Sequence, residues 1–198
     1  KKRQTMTKPL YIEKEIYSHP FVQNYLQTRP NITPIFCDRY GEIFHRKKQN
    51  FGLQKKCQLT ILAKKHGNFL QIPEKFGIGG ARSYYFSHIL NCPFDCSYCF
   101  LQGMYRSAYF VHFINYEDFQ QAILNNGDAH YFSGYDGDSL ALENQTQFLA
   151  SFLPFFAKLP HSLLEIRTKS VAIAPLLQRS SIKNCVVAFS LNPENIVR

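Results

Sequence analysis

The 198-residue sequence contains no uninterrupted apolar run of about 18 residues, the shortest length that a membrane-spanning helix needs. No apolar segment follows the basic N-terminus, residues 1–5, so we do not expect a secretory signal either. Tryptophan is absent, yet 18 Phe and 12 Tyr contribute to a hydrophobic share of 45%. That share is enough for the core of one domain of average size, or of one domain with a small extension.

Acidic residues are few, with 14 Asp and Glu against 23 Lys and Arg, which gives a formal net charge of +9. This balance favours nucleic acid as a partner, because binding releases the counterions condensed on phosphates. The alternative is that the charge merely keeps the protein soluble. The densest basic stretch, residues 39–65, has Tyr40, Phe44 and Phe51 interleaved with it. Such alternation suits phosphate contact and base stacking, and a solvated loop is an equal alternative.

The six cysteines are not expected to form a disulfide framework, because a chain without a secretory signal belongs in the reducing cytoplasm. We therefore expect the cysteines to be metal ligands or free thiols. Three of the cysteines have the spacing Cys92-x3-Cys96-x2-Cys99. They come directly after an apolar, aromatic run that predicts a strand over residues 83–90. On an irregular loop, this spacing brings three thiolates close together.

Three thiolates on one loop suit an iron–sulfur cluster. A cluster of four irons normally takes four thiolates, so three would leave one iron open to another ligand. An open coordination position is typical of a catalytic metal site, whereas structural sites are closed. A zinc site is the alternative, with His88 or His112 as the fourth ligand.

Predicted strands and helices alternate over the C-terminal part of the sequence. We predict strands at residues 83–90, 129–133, 163–168 and 185–190, and helices at residues 116–125, 145–159 and 172–178. Strands that recur about every 30 residues with helices between them indicate an α/β fold with a parallel sheet. Functional residues in such sheets gather where the strands end. This rule selects residues 92–99, 134–139, 168–170 and 190–192.

The N-terminal part predicts a small α+β extension. We expect a helix over residues 15–27, an extended segment over residues 31–37 and a buried strand over residues 56–63. Cys37 in the extended segment is expected to be a small buried hydrophobe rather than a ligand. The glycine-rich residues 77–80 predict a linker, so the expected domains are residues 1–80 and residues 81–198.

The cysteine segment resembles the radical S-adenosylmethionine (SAM) superfamily, in which Tyr98 and Phe100 also occupy positions that are commonly aromatic. Four pieces resemble the spore photoproduct lyase branch: residues 11–13 (Tyr-Ile-Glu), 99–102 (Cys-Phe-Leu-Gln), 167–170 (Arg-Thr-Lys-Ser) and 189–194 (Phe-Ser-Leu-Asn-Pro-Glu). The resemblance covers nearly the whole chain. It implies a partial (βα) barrel, with roughly four of six βα units present, and a cytoplasmic lyase-like enzyme of DNA repair.

In that family a reduced [4Fe–4S] cluster cleaves SAM to a 5′-deoxyadenosyl radical. The radical opens a thymine dimer in spore DNA, and SAM is regenerated. The resemblance implies that Cys92, Cys96 and Cys99 hold the cluster, that SAM binds the open iron and that Tyr98 lines the SAM site. It also implies two kinds of partner, DNA and an electron donor such as flavodoxin or ferredoxin.

Lys169 and Ser190 are the other residues that the resemblance assigns to SAM. Lys169 would contact the carboxylate or the ribose from the end of the third barrel strand, and Ser190 would do so from the fourth. The chemistry agrees, because a carboxylate pairs with a cation and hydroxyls pair with small polar groups. The alternatives are a lysine that merely lies at the rim and a serine that bonds to local backbone.

One departure from the family concerns the hydrogen donor to the product radical. In the family, this donor is a cysteine just after the second strand. Residues 132–139 contain no cysteine, and Cys185 is expected at the opposite end of the barrel. In that loop only Tyr135 offers a comparably weak bond, its phenolic O–H, at a strand end where reactive groups are expected. We therefore name Tyr135 as the catalytic candidate; a wall of the SAM pocket is its alternative. Repair of a spore-type dimer is expected to be poor.

The sequence ends after its fourth predicted barrel strand and begins without Met, so we expect a chain truncated at the C-terminus. Two other functions stay open. One is a radical SAM enzyme that acts on a different substrate. The other is a non-catalytic nucleic-acid-binding module that zinc or a cluster stabilises.

If Lys47, Lys48, Lys55 and Lys56 contact phosphates, DNA affinity should fall steeply as salt rises, because each contact releases counterions. Replacing one of these lysines with Ala should reduce the slope of log affinity against log salt by about one. Fluorescence anisotropy titrations over a salt series measure that slope. A slope that does not change in any of the four variants would contradict phosphate contact by this stretch.

Overall fold

A computed structural model describes residues 9–44, 59–67, 69–73, 82–94, 96–105, 107 and 109–193. The chain divides into two compact units, the first Lys1–Lys65 with Asp95–Ile114 and the second His66–Phe94 with Asn115–Arg198. The linker predicted at residues 77–80 lies outside the described residues, so the domain boundary at residue 80 stays a prediction. None of the described helices is long and apolar enough to cross a membrane.

The described strands are β1 (Leu10–Glu13), β2 (Pro34–Cys37), β3 (Leu59–Ala63), β4 (Leu70–Gln71), β5 (Ser83–Phe86), β6 (Ile89–Leu90), β7 (Tyr109–Phe113), β8 (His130–Ser133), β9 (Leu163–Thr168) and β10 (Cys185–Phe189). The helices are α1 (Pro20–Gln27), α2 (Leu101–Met104), α3 (Tyr116–Asn126), α4 (Glu143–Thr146), α5 (Phe148–Phe156) and α6 (Ala174–Leu177). Two short 3-10 turns, Lys14–Ile16 and Tyr40–Glu42, follow β1 and β2.

The first unit contains a parallel sheet in which β2, β1, β3 and β7 are neighbours in that order. Its core is a cluster of buried apolar side chains: Leu10, Ile12, Ile16, Val22, Tyr25, Leu62 and Ile114. The predicted extended segment and buried strand are confirmed as β2 and β3. β7 was not predicted, although most of its residues, Tyr-Phe-Val-His-Phe, are of types that favour strands.

The first predicted helix is shorter than expected. α1 begins at Pro20 rather than at residue 15, and residues 14–16 form a 3-10 turn instead. Proline is favourable at the first position of a helix, because its missing N–H would have no partner there. His19 precedes it as the N-cap, and its Nδ1 accepts a hydrogen bond from the Phe21 N–H at 3.2 Å. The predicted end at residue 27 is confirmed.

The second unit contains a five-stranded sheet in the order β10-β9-β8-β5-β4. β5, β8, β9 and β10 are parallel, and only β4 runs antiparallel, against β5. The predicted α/β alternation and parallel sheet are therefore confirmed. β4 and β10 are edge strands, so the described strands form an open sheet rather than a closed barrel.

Aromatic side chains form much of the core on one face of this sheet. Phe86 of β5 lies 5.4 Å from Phe152 of α5 and 6.1 Å from Phe119 of α3, measured between ring centroids. Tyr131 of β8 packs on Phe156 at 5.9 Å. These contacts hold α3 and α5 against the sheet, because large rings bury much apolar area.

Two predicted elements of the second unit are interrupted. The strand expected over residues 83–90 is split into β5 and β6. The helix expected over residues 145–159 is split into α4 and α5, because Gln147 has a left-handed backbone conformation with φ of 52°. The other predicted strands and helices of this unit are confirmed, with ends that differ by a few residues at most.

Glu143 stabilises the start of α5 after this break. Its side chain is buried, and one carboxylate oxygen accepts a hydrogen bond from the Leu149 N–H at 3.0 Å. The first N–H groups of a helix have no partner within the helix, so an acceptor here is favourable. Burial raises the pKa of Glu143 from 4.5 to about 7, although hydrogen bonds from the helix backbone oppose that rise.

The raised pKa predicts a pH-dependent stability. Because the folded protein favours the protonated carboxyl, the contribution is fully present below pH 4.5 and is lost as the pH rises through about 7. The loss is on the order of 3 kcal/mol. Glu143→Gln mimics the protonated form, so its free energy of unfolding should change less than that of the wild type between pH 5 and pH 8. Urea denaturation at both values measures the difference.

The matched control is Glu117→Gln, which neutralises an exposed carboxylate in the first turn of α3. It should retain the pH dependence of the wild type. A Glu143→Gln variant whose unfolding free energy falls as much as that of the wild type over this interval would contradict the assignment.

Candidate cofactor-binding site

Within the second unit, the loops that follow the parallel strands meet at one edge of the sheet. β5, β8, β9 and β10 are paired in parallel register, with Phe86 opposite Ser133, Ser133 opposite Ile166, and Thr168 opposite Phe189. The carboxyl ends of parallel strands share an edge, which is where ligands bind in such sheets. The segments at residues 134–139, 168–170 and 190–192 therefore lie near one another, as the strand-end rule predicts.

The loop after β8 interlocks with the residues on either side of β6. Asn91 donates a backbone hydrogen bond to the Asp136 carbonyl at 2.9 Å, and the Asp136 N–H donates to Ser87 Oγ at 2.9 Å. Gly137 lies so close that a Cβ there would be 2.7 Å from the Asn91 carbonyl oxygen. The Asn91 side chain in turn accepts from the Cys92 N–H at 2.8 Å. These bonds fix the backbone at which the cysteine segment begins.

The three predicted cluster ligands are thiols with partial exposure. Cys92 belongs to the second unit, whereas Cys96 and Cys99 belong to the first, where the Cys99 N–H donates to the Cys96 carbonyl at 2.9 Å. The described cysteines form no disulfide. Among the described residues, no three His, Cys, Asp or Glu side chains are grouped as a metal-ligand set. Cluster binding therefore stays a prediction, to which the chemistry of three accessible thiols is suited.

The other described cysteines differ from these three in their environment. Cys37 is 5% exposed, and burial raises the pKa of its thiol to about 11. Cys185 begins β10 opposite Leu164, at the end of the sheet away from the strand-end loops, and burial raises its pKa to about 11 as well. Thiols with such pKa values are protonated and poor metal ligands at neutral pH. Cys57 lies outside the described residues.

The two histidines considered as zinc ligands are buried in separate units. His88 stacks on Phe148, with ring centroids 4.2 Å apart. His112 packs edge-on against Phe21 at 5.2 Å, and burial lowers its pKa to about 3. Both side chains are part of aromatic packing, which disfavours the zinc alternative.

Lys169 and Ser190 are brought together at the edge of the sheet. The ammonium of Lys169, which follows β9, donates to the Ser190 carbonyl oxygen at 3.1 Å and to Asn192 Oδ1 at 3.4 Å. The Ser190 N–H donates to the Thr168 carbonyl at 2.9 Å and so continues the pairing of β9 with β10. A cation therefore lies among polar groups from two neighbouring strand ends.

Asp138 is a buried carboxylate that the sequence interpretation did not single out. One oxygen accepts from Thr168 Oγ1 at 2.7 Å and from the Leu140 N–H at 3.0 Å, and the other accepts from the Lys169 N–H at 2.5 Å. Asp138 lies in the segment at residues 134–139 that the strand-end rule selects. No sequence signal, however, indicates that it pairs with the segment after β9.

Tyr135 and Tyr98 differ in their surroundings. Tyr135 stacks on Tyr85 of β5, with centroids 4.6 Å apart, and Tyr85 lies 5.7 Å from Phe132. This stacking agrees with the alternative role of Tyr135, an aromatic wall of the SAM pocket. The role of Tyr135 as hydrogen donor stays a prediction. Tyr98 is 60% exposed in the cysteine segment, and its contact with SAM likewise stays a prediction.

A charged cluster of the second unit, also missed from the sequence, lies beside this aromatic layer. Glu165 of β9 accepts from Arg167 Nε at 2.5 Å, and its other oxygen lies 3.4 Å from His130 Nε2. The Arg167 guanidinium lies 4.5 Å from the Phe132 ring centroid. Burial lowers the pKa of His130, and the neighbouring Glu165 opposes that shift.

The basic stretch is described only at its two ends. Arg39 lies 3.4 Å from Glu15, and the Lys65 ammonium lies 4.9 Å from the Phe113 ring centroid. Glu13, the last residue of the Tyr-Ile-Glu piece, is buried and accepts from the Lys64 N–H at 2.8 Å. Lys47, Lys48, Lys55 and Lys56 lie outside the described residues.

Comparison with known proteins identifies the fold. No protein-family model matches the sequence, and neither does any curated protein. Solved structures of spore photoproduct lyase match with TM-scores of 0.77 and 17% identity, over 96% of this chain. One of them contains bound AdoMet and dinucleoside spore photoproduct, and another, at 16% identity, is a complex with dinucleoside spore photoproduct.

The resemblance predicted from the motifs is therefore confirmed at the level of the fold. This chain spans 58% of the length of the matched chains. This chain and the matched structures share an α/β architecture with parallel strands.

The close approach of Gly137 yields a test of the interlocked loops. In Gly137→Ala, the added Cβ would lie 2.7 Å from the Asn91 carbonyl oxygen and 2.8 Å from Ile89 Cγ1. The backbone would have to shift, at a cost of about 1–3 kcal/mol in the free energy of unfolding. Urea denaturation measures that loss. Gly103→Ala is the control, because a Cβ there meets no described atom within 4 Å. Equal stability of Gly137→Ala and the wild type would contradict the described packing.

Proposed function

We propose that this protein is a radical SAM enzyme that acts on a nucleic-acid substrate. Cys92, Cys96 and Cys99 would hold a [4Fe–4S] cluster, which supplies the electron that cleaves SAM to a 5′-deoxyadenosyl radical. The observation that carries the proposal is the ammonium of Lys169, which lies 3.1 Å from the Ser190 carbonyl oxygen at the carboxyl ends of adjacent parallel strands.

The polar groups at this edge suit SAM better than a neutral ligand. SAM carries a carboxylate, for which the Lys169 ammonium is a charge-matched donor. Its ribose hydroxyls pair with small polar groups, such as the Ser190 hydroxyl and the Asn192 amide. The acceptors at 3.1 and 3.4 Å from the Lys169 ammonium, a backbone carbonyl oxygen and an amide oxygen, are neutral. A carboxylate would form the stronger, charge-assisted bond there.

Two features support a nucleic-acid substrate. The formal net charge is +9, which favours binding to a polyanion. The solved structures that share the fold include complexes with a dinucleoside spore photoproduct. We propose a related nucleic-acid lesion as the substrate rather than the spore-type dimer itself, with a flavodoxin or ferredoxin as the electron donor and a reducing cytoplasm as the compartment.

The substrate radical would need a hydrogen donor, and Tyr135 is our candidate. It lies two residues after the end of β8, in the loop that also contains Asp138. Its stacking on Tyr85 at 4.6 Å holds the ring in one orientation, as a donor requires. Tyr98, the exposed aromatic residue of the cysteine segment, is proposed to line the SAM pocket.

Anaerobic reconstitution tests the cluster assignment. The wild type should bind about four irons per chain and release 5′-deoxyadenosine from SAM under reducing conditions. Replacing Cys92, Cys96 or Cys99 with Ala should abolish both properties, because each thiolate is a ligand of one iron. Iron analysis and chromatography of the nucleoside product measure them.

Cys185→Ala is the matched control, because its half-buried thiol begins β10, at the end of the sheet away from the strand-end loops, and should not bind iron. It should keep the iron content and the SAM cleavage of the wild type. Full iron content and full cleavage in any one of the three Ala variants would show that the ligand assignment is wrong.

A further inference from the structure

Asp138 binds three hydrogen-bond donors although it is nearly inaccessible to solvent. The residue is 8% exposed and follows β8 in the second unit. Its two oxygens accept from the Thr168 hydroxyl at 2.7 Å, the Lys169 N–H at 2.5 Å and the Leu140 N–H at 3.0 Å. A buried carboxylate is unfavourable unless hydrogen bonds compensate for its lost hydration, and these three bonds do so.

The hydrogen bonds extend through Thr168 to the residue after Lys169. Thr168 Oγ1, which donates to Asp138, also accepts from the Ser170 N–H at 2.8 Å. One carboxylate therefore holds the amide groups of both Lys169 and Ser170, directly or through one hydroxyl. The backbone on either side of the Lys169 Cα is fixed, and so is the direction in which its side chain leaves the strand end.

This fixed direction is the one that places the Lys169 ammonium beside β10. The ammonium reaches the Ser190 carbonyl oxygen at 3.1 Å and Asn192 Oδ1 at 3.4 Å. A lysine side chain has four rotatable bonds, so an unfixed backbone would let its charge sample many positions. A preset position reduces the ordering cost when a ligand binds.

We infer that Asp138 is a positioning residue, which presets Lys169 for the carboxylate of SAM. The inference rests on the proposed function, because it assigns Lys169 to SAM. Asp138 acts through Lys169 rather than by touching the ligand, since both of its oxygens already accept from this chain's own groups. The observation behind this inference is that the buried Asp138 carboxylate, which follows β8, accepts hydrogen bonds from the residues at the end of β9.

A double-mutant cycle on SAM affinity tests the inference. Lys169→Ala should weaken SAM binding by about tenfold to a hundredfold, the usual effect of losing a hydrogen bond to a charged group. Asp138→Asn keeps the shape of the side chain but places an NH₂ group opposite one of its donors. It should weaken binding about tenfold in the wild-type background and less than twofold in the Lys169→Ala background. Equilibrium dialysis with labelled SAM on the cluster-loaded protein measures all four affinities.

Additive losses would overturn the inference, because Asp138 would then affect SAM independently of Lys169. If the wild type itself failed to bind SAM, the proposed function would be wrong, so the two failures are distinguishable. Asp128→Asn is the matched control; it makes the same change at an exposed position before β8 and should leave SAM affinity unchanged.

Thr168 provides a second pair of variants if Asp138→Asn does not fold. Thr168→Val removes the hydroxyl that links Asp138 to Ser170, whereas Thr168→Ser keeps it. Valine should weaken SAM binding several-fold and serine should restore it. Equal SAM affinity for the valine and serine variants would contradict the positioning role.

Discussion

The parallel pairing of β8, β9 and β10 is the constraint on which the candidate site depends. Parallel register requires that all three strands end at one edge, so Asp138, Lys169 and Ser190 become neighbours although about 50 residues separate the first from the last. The aromatic packing of α3 and α5 on one face of the sheet stabilises this register. The polar contacts at the edge therefore follow from apolar packing elsewhere.

Much of this architecture could be predicted from the sequence. β9 has the predicted bounds, because a strand of buried, β-favouring residues between turn signals is a strong local pattern. Lys169 and Ser190 could be placed at one edge, since strand ends in a parallel sheet lie together. The predictions that failed depend on backbone detail: the left-handed Gln147 that interrupts the helix, and the proline that delays the start of α1.

Other features could not be predicted because they arise from contacts between distant segments. β7 consists largely of strand-favouring residues, but it pairs with β3, about 50 residues earlier, and no local pattern indicates that partner. From the sequence, Asp138 is an ordinary loop aspartate; only the fold brings the Thr168 hydroxyl and the Lys169 N–H, from the end of β9, close enough to donate to it. Local sequence patterns therefore predict most of the strands and helices, whereas the contacts of the candidate site depend on segments that are distant in the sequence.

Electron paramagnetic resonance spectroscopy of the reduced, reconstituted protein, before and after addition of SAM, tests the central claim most directly. Our account predicts the signal of a reduced iron–sulfur cluster that changes when SAM is added, because SAM would bind at the iron that three cysteines leave open. A cluster signal that stays the same at saturating SAM, or a protein that takes up no iron, would contradict it.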